Sequence, residues 1–212
     1  MVSLEEGTTH PTWENSEEVA VRVAVTYFIA AIATIVASAS FAADAPTSGS
    51  GTFVLSSPAF EDNGRLAKKF AGNDKSNPNC VGENVSPPLS WSNPPKGTKS
   101  YALTLFDPEG RAGLGVVHWI AYGIPVSVTG LAEGEASMPS PKFVGGKSTR
   151  SLPTYFGPCT PPGDWHHYTF TLIATDLDPK ALQPGMTRDE LLTALNGHAL
   201  GAAGRVGRFR HE

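Results

Sequence analysis

The stretch Gly157–Tyr168 reads GPCTPPGDWHHY, and it decides how the rest of the chain is read. Its prolines and glycines fix the backbone, because proline locks φ and glycine takes conformations that other residues avoid. Two histidines and a tyrosine follow, where the chain turns strand-like. Alternate side chains of an extended chain share a face, so His166 and Tyr168 point together and His167 points away. A rigid loop that delivers an imidazole and a phenol to one face builds a polar pocket. Its structural alternative is a tight turn before a strand that carries a satisfied core histidine.

Downstream, His167–Thr175 is strand-like, with Thr169, Thr171 and Thr175 alternating with Tyr168, Phe170, Leu172 and Ala174. One helix is signalled after it. Pro184 and Gly185 break the chain, Thr187 and Glu190 make a capping box, and Leu191, Leu192 and Leu195 give one apolar face, with Gly197 as the stop. The tail Ala199–Phe209 is small and apolar with three arginines and reads as a last strand.

Upstream, SYALTLFD at Ser100–Asp107 is a central strand, and VVHWIAY at Val116–Tyr122 is a second, with His118 inside it. Pro108–Gly115 between them is a glycine-rich loop. Thr52–Ser56 is a short first strand, and Ser57–Gly82 is polar and turn-rich. Pro87 and Pro88 bar a helix in NVSPPLSW at 84–91, and Leu89 and Trp91 share a face if extended. Pro125–Lys147 reads as loop. Short strands spaced by turns, with one late helix, predict a mainly β fold, an antiparallel sandwich with short helical additions.

The chain has 212 residues, 40% of them hydrophobic, with 22 Gly and 18 Pro, which suits one turn-rich domain. The formal charge of -4 lies in residues 1–42, where five glutamates face Arg22 alone. The remainder is neutral, and no basic patch suggests nucleic acid.

Arg22, the apolar run VAVTYFIAAIATIVA and the small residues ASASFAA follow the order of a secretory signal peptide. Cleavage after Ala42 is expected, with Ala39 the second choice; a retained membrane anchor is the alternative. The glutamates of residues 1–20 are foreign to a signal peptide, which suggests translation from Val21. Residues 1–42 are thus an extension plus signal, 43–51 a linker and 52–212 the domain, exported to the periplasm or secreted. Export changes how Cys80 and Cys159 are read. An even pair in an oxidising compartment reads as a disulfide, and closing so long a loop stabilises a fold by roughly 4 kcal/mol.

Taken together, NVSPPLSW (84–91), GTKSYALTLFDPE (97–109), VHWIAYGIP (117–125), FGPCTPPGDWHHYTFTL (156–172) and LNGHALGAAGRVGRF (195–209) resemble the phosphatidylethanolamine-binding protein family, also called Raf-kinase-inhibitor-like, in its bacterial exported branch. The resemblance implies a Greek-key β-sandwich with an anion-binding pocket at one end. It places Asp107, Glu109, His118, Gly157, Pro158, His166 and Tyr168 at the ligand. The sequence departs from the family pattern in three places: Glu109 stands for an aspartate, GRAGLG at 110–115 lacks a proline and carries Arg111, and Val116 replaces an aromatic.

If the strands ending at Asp107 and containing His118 are neighbours, carboxylate and imidazole meet, and the aspartate would raise the pKa of the histidine. Two imidazoles with backbone N–H groups of Gly157–Gly163 could hold a phosphate, and Asp107 or Glu109 could accept a ligand amine. The expected partner is therefore a small anionic or zwitterionic ligand such as a phosphate ester or phospholipid head group, with no cofactor and no turnover. Three readings compete. Two histidines and two carboxylates form a zinc set, though not at local motif spacing. A hydrolase would need a nucleophile, and Cys159 is expected in the bridge. An interaction or inhibitor protein would use a surface loop such as Gly130–Lys147 on a protein partner.

Overall fold

The apolar run at 100–107 forms the middle of a six-stranded sheet. A computed structural model describes residues 51–211. Its strands are β1 (Val54–Ser56), β2 (Gly64–Arg65), β3 (Leu89–Ser92), β4 (Ser100–Asp107), β5 (Val116–Pro125), β6 (Gly130–Leu131), β7 (Val144–Gly145), β8 (His166–Thr175) and β9 (Ala199–Phe209), with one helix, α1 (Arg188–Ala194). The large sheet runs β2-β9-β8-β4-β5-β7 and the small one β1-β3-β6. The expected signal segment and most of the expected linker lie outside the described residues. Among those described, no helix is long and apolar enough to cross a membrane.

The chain is mainly β, as predicted, and all strand pairs are antiparallel except β2 with β9, which is parallel. Strand β5 runs on to Pro125 rather than stopping at Tyr122, because Ser100 at the start of β4 pairs with Pro125. The stretch expected as loop after Pro125 contains β6 and β7, each a two-residue strand added to a sheet edge.

Strand β4 is continuously apolar because both of its faces are covered. Leu103 and Leu105 join Phe170 and Leu172 against Leu55, Leu89, Trp91 and Leu131 of the small sheet. Trp91 meets Tyr101 edge-on at 5.6 Å. On the other face Ala102, Ile120 and Tyr122 pack under Leu191 and Leu195 of α1. Each such Leu or Phe, fully buried, stabilises the fold by about 1.5–3 kcal/mol. The helix starts where the capping box predicts. Thr187 Oγ1 accepts the Glu190 N–H at 3.3 Å, and Glu190 Oε2 accepts the Thr187 N–H at 2.8 Å. It stops before Gly197, whose φ of +82° is a left-handed conformation that favours glycine.

Cys80 and Cys159 form a disulfide that closes 79 residues. It joins two loops that also share a run of hydrogen bonds. Gly72 N–H donates to the Pro158 carbonyl at 2.8 Å, and the Tyr155 hydroxyl donates to the Phe70 carbonyl at 2.7 Å. A Cβ on Gly157 would lie 1.9 Å from the Phe70 carbonyl oxygen, so only glycine allows the two backbones to pass.

Candidate functional site

The sheet order explains how the site assembles. Strand β4 lies between β5 and β8, so Asp107 at its end has His118 on one side and His166 on the other. Asp107 is buried. Its Oδ1 accepts the N–H groups of Glu109 and Gly110, each at 3.0 Å, and its Oδ2 meets His166 Nδ1 at 2.8 Å. His118 Nε2 is farther from Oδ2, at 4.0 Å. The carboxylate therefore orients His166 first. Strand order alone predicts His118 as its partner, but that ring stands off at 4.0 Å.

His118 is held from the other end, where Nδ1 lies 2.8 Å from the Phe156 carbonyl. A carbonyl only accepts, so Nδ1 carries the proton. Burial pushes the His118 pKa below its ordinary value, against the pull of the Phe156 carbonyl and the Asp107 charge. That corrects the expected rise: desolvation outweighs the carboxylate at this distance. Tyr168 stacks on His166 at 6.5 Å and meets His118 edge-on at 5.1 Å. Burial, then the nearby Asp107 charge, pushes its hydroxyl pKa up.

His167 does point the other way, and it takes Glu109 with it. Glu109 Oε1 lies 2.8 Å from His167 Nδ1, and Oε2 accepts the His167 N–H at 3.0 Å. Burial raises the Glu109 pKa, but the His167 hydrogen bonds outweigh it and hold the group down to about 2.

A cavity of about 290 Å³ opens beside these groups. Asp107, His118, His166 and Tyr168 line it; Glu109, Gly157 and Pro158 do not. The Gly157 N–H donates to Asn84 Oδ1 at 2.9 Å, and the Pro158 carbonyl accepts from Gly72. Both residues shape the loop from behind. The cavity adds residues that the sequence reading missed, chiefly Thr160 and Arg150, with Arg111 at the rim. Arg150 pairs with Asp74 and lies over the Phe156 ring at 4.4 Å. Thr160 and Tyr168 are both buried, and neither hydroxyl has a hydrogen-bond partner. Asp107 is near the Tyr168 hydroxyl but outside bonding geometry. The Cys159 half of the disulfide forms part of the wall.

Asp107, Glu109 and His166 each present a donor atom within 4.8 Å of the others, a carboxylate–histidine set of the kind that binds zinc. A cation there would have to displace the Asp107–His166 hydrogen bond, and Glu109 would have to leave His167.

A β-sandwich whose strand ends gather two histidines, an aspartate and a tyrosine around one cavity is the class of protein that fold and site define. Residues 56–210 match the family model described as phosphatidylethanolamine-binding protein. The chain belongs to the phosphatidylethanolamine-binding protein family. A UPF0098 protein of Methanothermobacter thermautotrophicus is 38% identical over 161 residues, 74% of this chain and 97% of that one. A candidate lipoprotein, LppC, of Mycobacterium tuberculosis is 37% identical over 172 residues, 79% of this chain and 77% of that one. The crystal structure of Escherichia coli YbcL superposes with a TM-score of 0.68 at 27% identity, covering 76% of this chain and 100% of the other.

Proposed function

We propose that the chain is an exported small-ligand binding protein whose cavity between β4, β5 and β8 takes the phosphate group of a phosphate ester without turning it over. The observation that carries this reading is the pair of orphaned hydroxyls. Thr160 and Tyr168 are buried, face the same cavity and lack partners. A buried hydroxyl without a partner costs roughly 1–3 kcal/mol, and an oxyanion between them would relieve both. The rim arginine Arg111 supplies charge, with Arg150 beside it on Asp74, and His166 presents a ring nitrogen. Export is supported by the signal-like segment at 22–43 and by the likeness to a candidate lipoprotein. No lining serine or free thiol stands beside the histidines as a nucleophile, and Cys159 is bridged.

The amine of a zwitterionic head group has no evident acceptor here. Asp107 already takes hydrogen bonds on both oxygens, and Glu109 is turned to His167. The phosphate should therefore carry the binding, so phosphoethanolamine and methyl phosphate should bind alike.

Imidazole NMR titration of the full chain with both compounds tests this. Saturable shifts of His118 and His166, lost in Thr160→Val, are expected. Shifts with phosphoethanolamine alone would place an amine acceptor in the cavity and overturn the preference. No shift with either compound would overturn the site itself.

A further inference from the structure

Arg150 reaches the cavity already engaged. Its guanidinium pairs with the Asp74 carboxylate and lies over the Phe156 ring at 4.4 Å. Arg150 lines the cavity with Thr160 and His166, and so does Asn77, from the same short segment as Asp74. Segment 74–80 is therefore a strap along one side of the cavity. The Asn77 N–H donates to the Asp74 carbonyl at 3.1 Å, and the Cys80 N–H to the Asn77 carbonyl at 3.0 Å. The Cys80–Cys159 bridge ties the far end of the strap to the cavity wall. Asp74 is thus held where Arg150 meets it.

The same carboxylate can let the cation go. Its Oδ1 accepts the Ser76 hydroxyl at 2.7 Å and the Ser76 N–H at 3.0 Å, while Oδ2 takes Arg150. The Ser76 hydroxyl and then the Ser76 N–H, ahead of the Arg150 bond, hold the Asp74 pKa below its ordinary value. Asp74 therefore keeps its charge and two hydrogen bonds when Arg150 leaves, and it is only half-buried, so water reaches the oxygen set free.

A ligand that calls on Arg150 competes with this tethered carboxylate, and tethering gives Asp74 a high effective concentration. A singly charged phosphodiester offers the guanidinium no more charge than Asp74 does, so it does not take the cation away. A phosphate monoester carries about −1.5 to −2 charges near pH 7 and three acceptor oxygens for the guanidinium fork, so it does.

We propose that Arg150 and Asp74 make the cavity select phosphate monoesters over diesters, with Asp74 withholding Arg150 from any ligand of single charge. The selection rests on the phosphate reading of this cavity. Its consequence is that the ligand is a small soluble monoester and not an intact phospholipid, whose head group is a diester.

The test is an NMR titration of the His166 ring in the full chain with methyl phosphate and dimethyl phosphate. It compares wild type, Asp74→Asn, and the double variant Asp74→Asn with Arg150→Ala. Both side chains reach water, so the fold should survive, and a melting curve checks this. Wild type should bind methyl phosphate roughly ten-fold more tightly than dimethyl phosphate. Asp74→Asn should tighten both, because Arg150 is then free for either. The double variant has the net charge of wild type, so a difference between those two is not a general field effect. There methyl phosphate should bind roughly ten-fold more weakly than to wild type, while dimethyl phosphate returns to its wild-type affinity. A fall of both esters below wild type in the double variant would show that Arg150 serves both and overturn the selection. Methyl phosphate binding unchanged or weakened in Asp74→Asn would show that Asp74 positions Arg150 and does not compete for it, which also overturns the selection and leaves the phosphate site standing. A wild type that answers neither ester overturns the site itself and the selection with it.

Discussion

Two imidazoles flank one carboxylate and are not equivalent. His166 bonds Asp107 directly, whereas His118 is buried, bonds the Phe156 carbonyl and stands off from the carboxylate. Burial lowers the His118 pKa from 6.5, so the unfolded chain takes up the proton first as the pH falls. The folded state then loses stability between 6.5 and the depressed folded pKa, and regains it as the pH rises. Denaturant midpoints measured across this range should fall toward acid, and His118→Gln should flatten the slope. An equal slope in wild type and variant would show that His118 does not carry it. An anion beside His118 works in the opposite sense, drawing a proton onto the ring, so sulfate should bind more tightly as the pH falls. Asp107, His118, His166 and Tyr168 all line the cavity; alternation puts His166 and Tyr168 on one face and strand order can bring Asp107 to His118, but their role at a ligand comes from the family resemblance alone. Arg150 could not be read that way, because it comes from a loop that only the folded chain brings to the cavity; Thr160 lies in the Gly157–Gly163 loop expected at the pocket, where backbone N–H groups rather than its hydroxyl were expected to act. Glu109 stays near Asp107, as spacing sets it, but its carboxylate bonds His167 and does not line the cavity.

At the scale of elements, the helix is held by few residues and can be tested by one. Thr187 and Glu190 close the capping box in both directions. Thr187→Ala should destabilise the domain by about 1 kcal/mol, and Thr187→Ser should restore most of that loss. Equal stability of Thr187→Ala and wild type in urea unfolding would show that packing of Leu191 and Leu195 alone sets the helix. Strands β4, β5, β8 and β9 were legible within a few residues, because both apolar runs and strict alternation are long enough to read. The two-residue strands β2, β6 and β7 were not, since no period can be seen in so short a piece. Their existence depends on a neighbouring edge, and the parallel β2–β9 pairing comes from chain segments far apart in sequence.

At the scale of the molecule, the disulfide spans 79 residues and ties the loop below β2 to the cavity wall. Replacing both cysteines by alanine should lower the unfolding free energy by about 4 kcal/mol and weaken phosphate binding as the 155–160 loop loosens. Unchanged stability after reduction of the wild type would show that the loop is held by its hydrogen bonds alone. Strand β9 has a different consequence, one of timing. It pairs with β8 along ten residues and lies inside the large sheet, between β8 and β2. While the chain is being made, β8 therefore shows water an open row of N–H and C=O groups until Phe209 has left the ribosome. Within the domain the sheet cannot close before its last strand, β9, is made. A fragment of the domain that stops short of Ala199 is left with an edge that other strands can join.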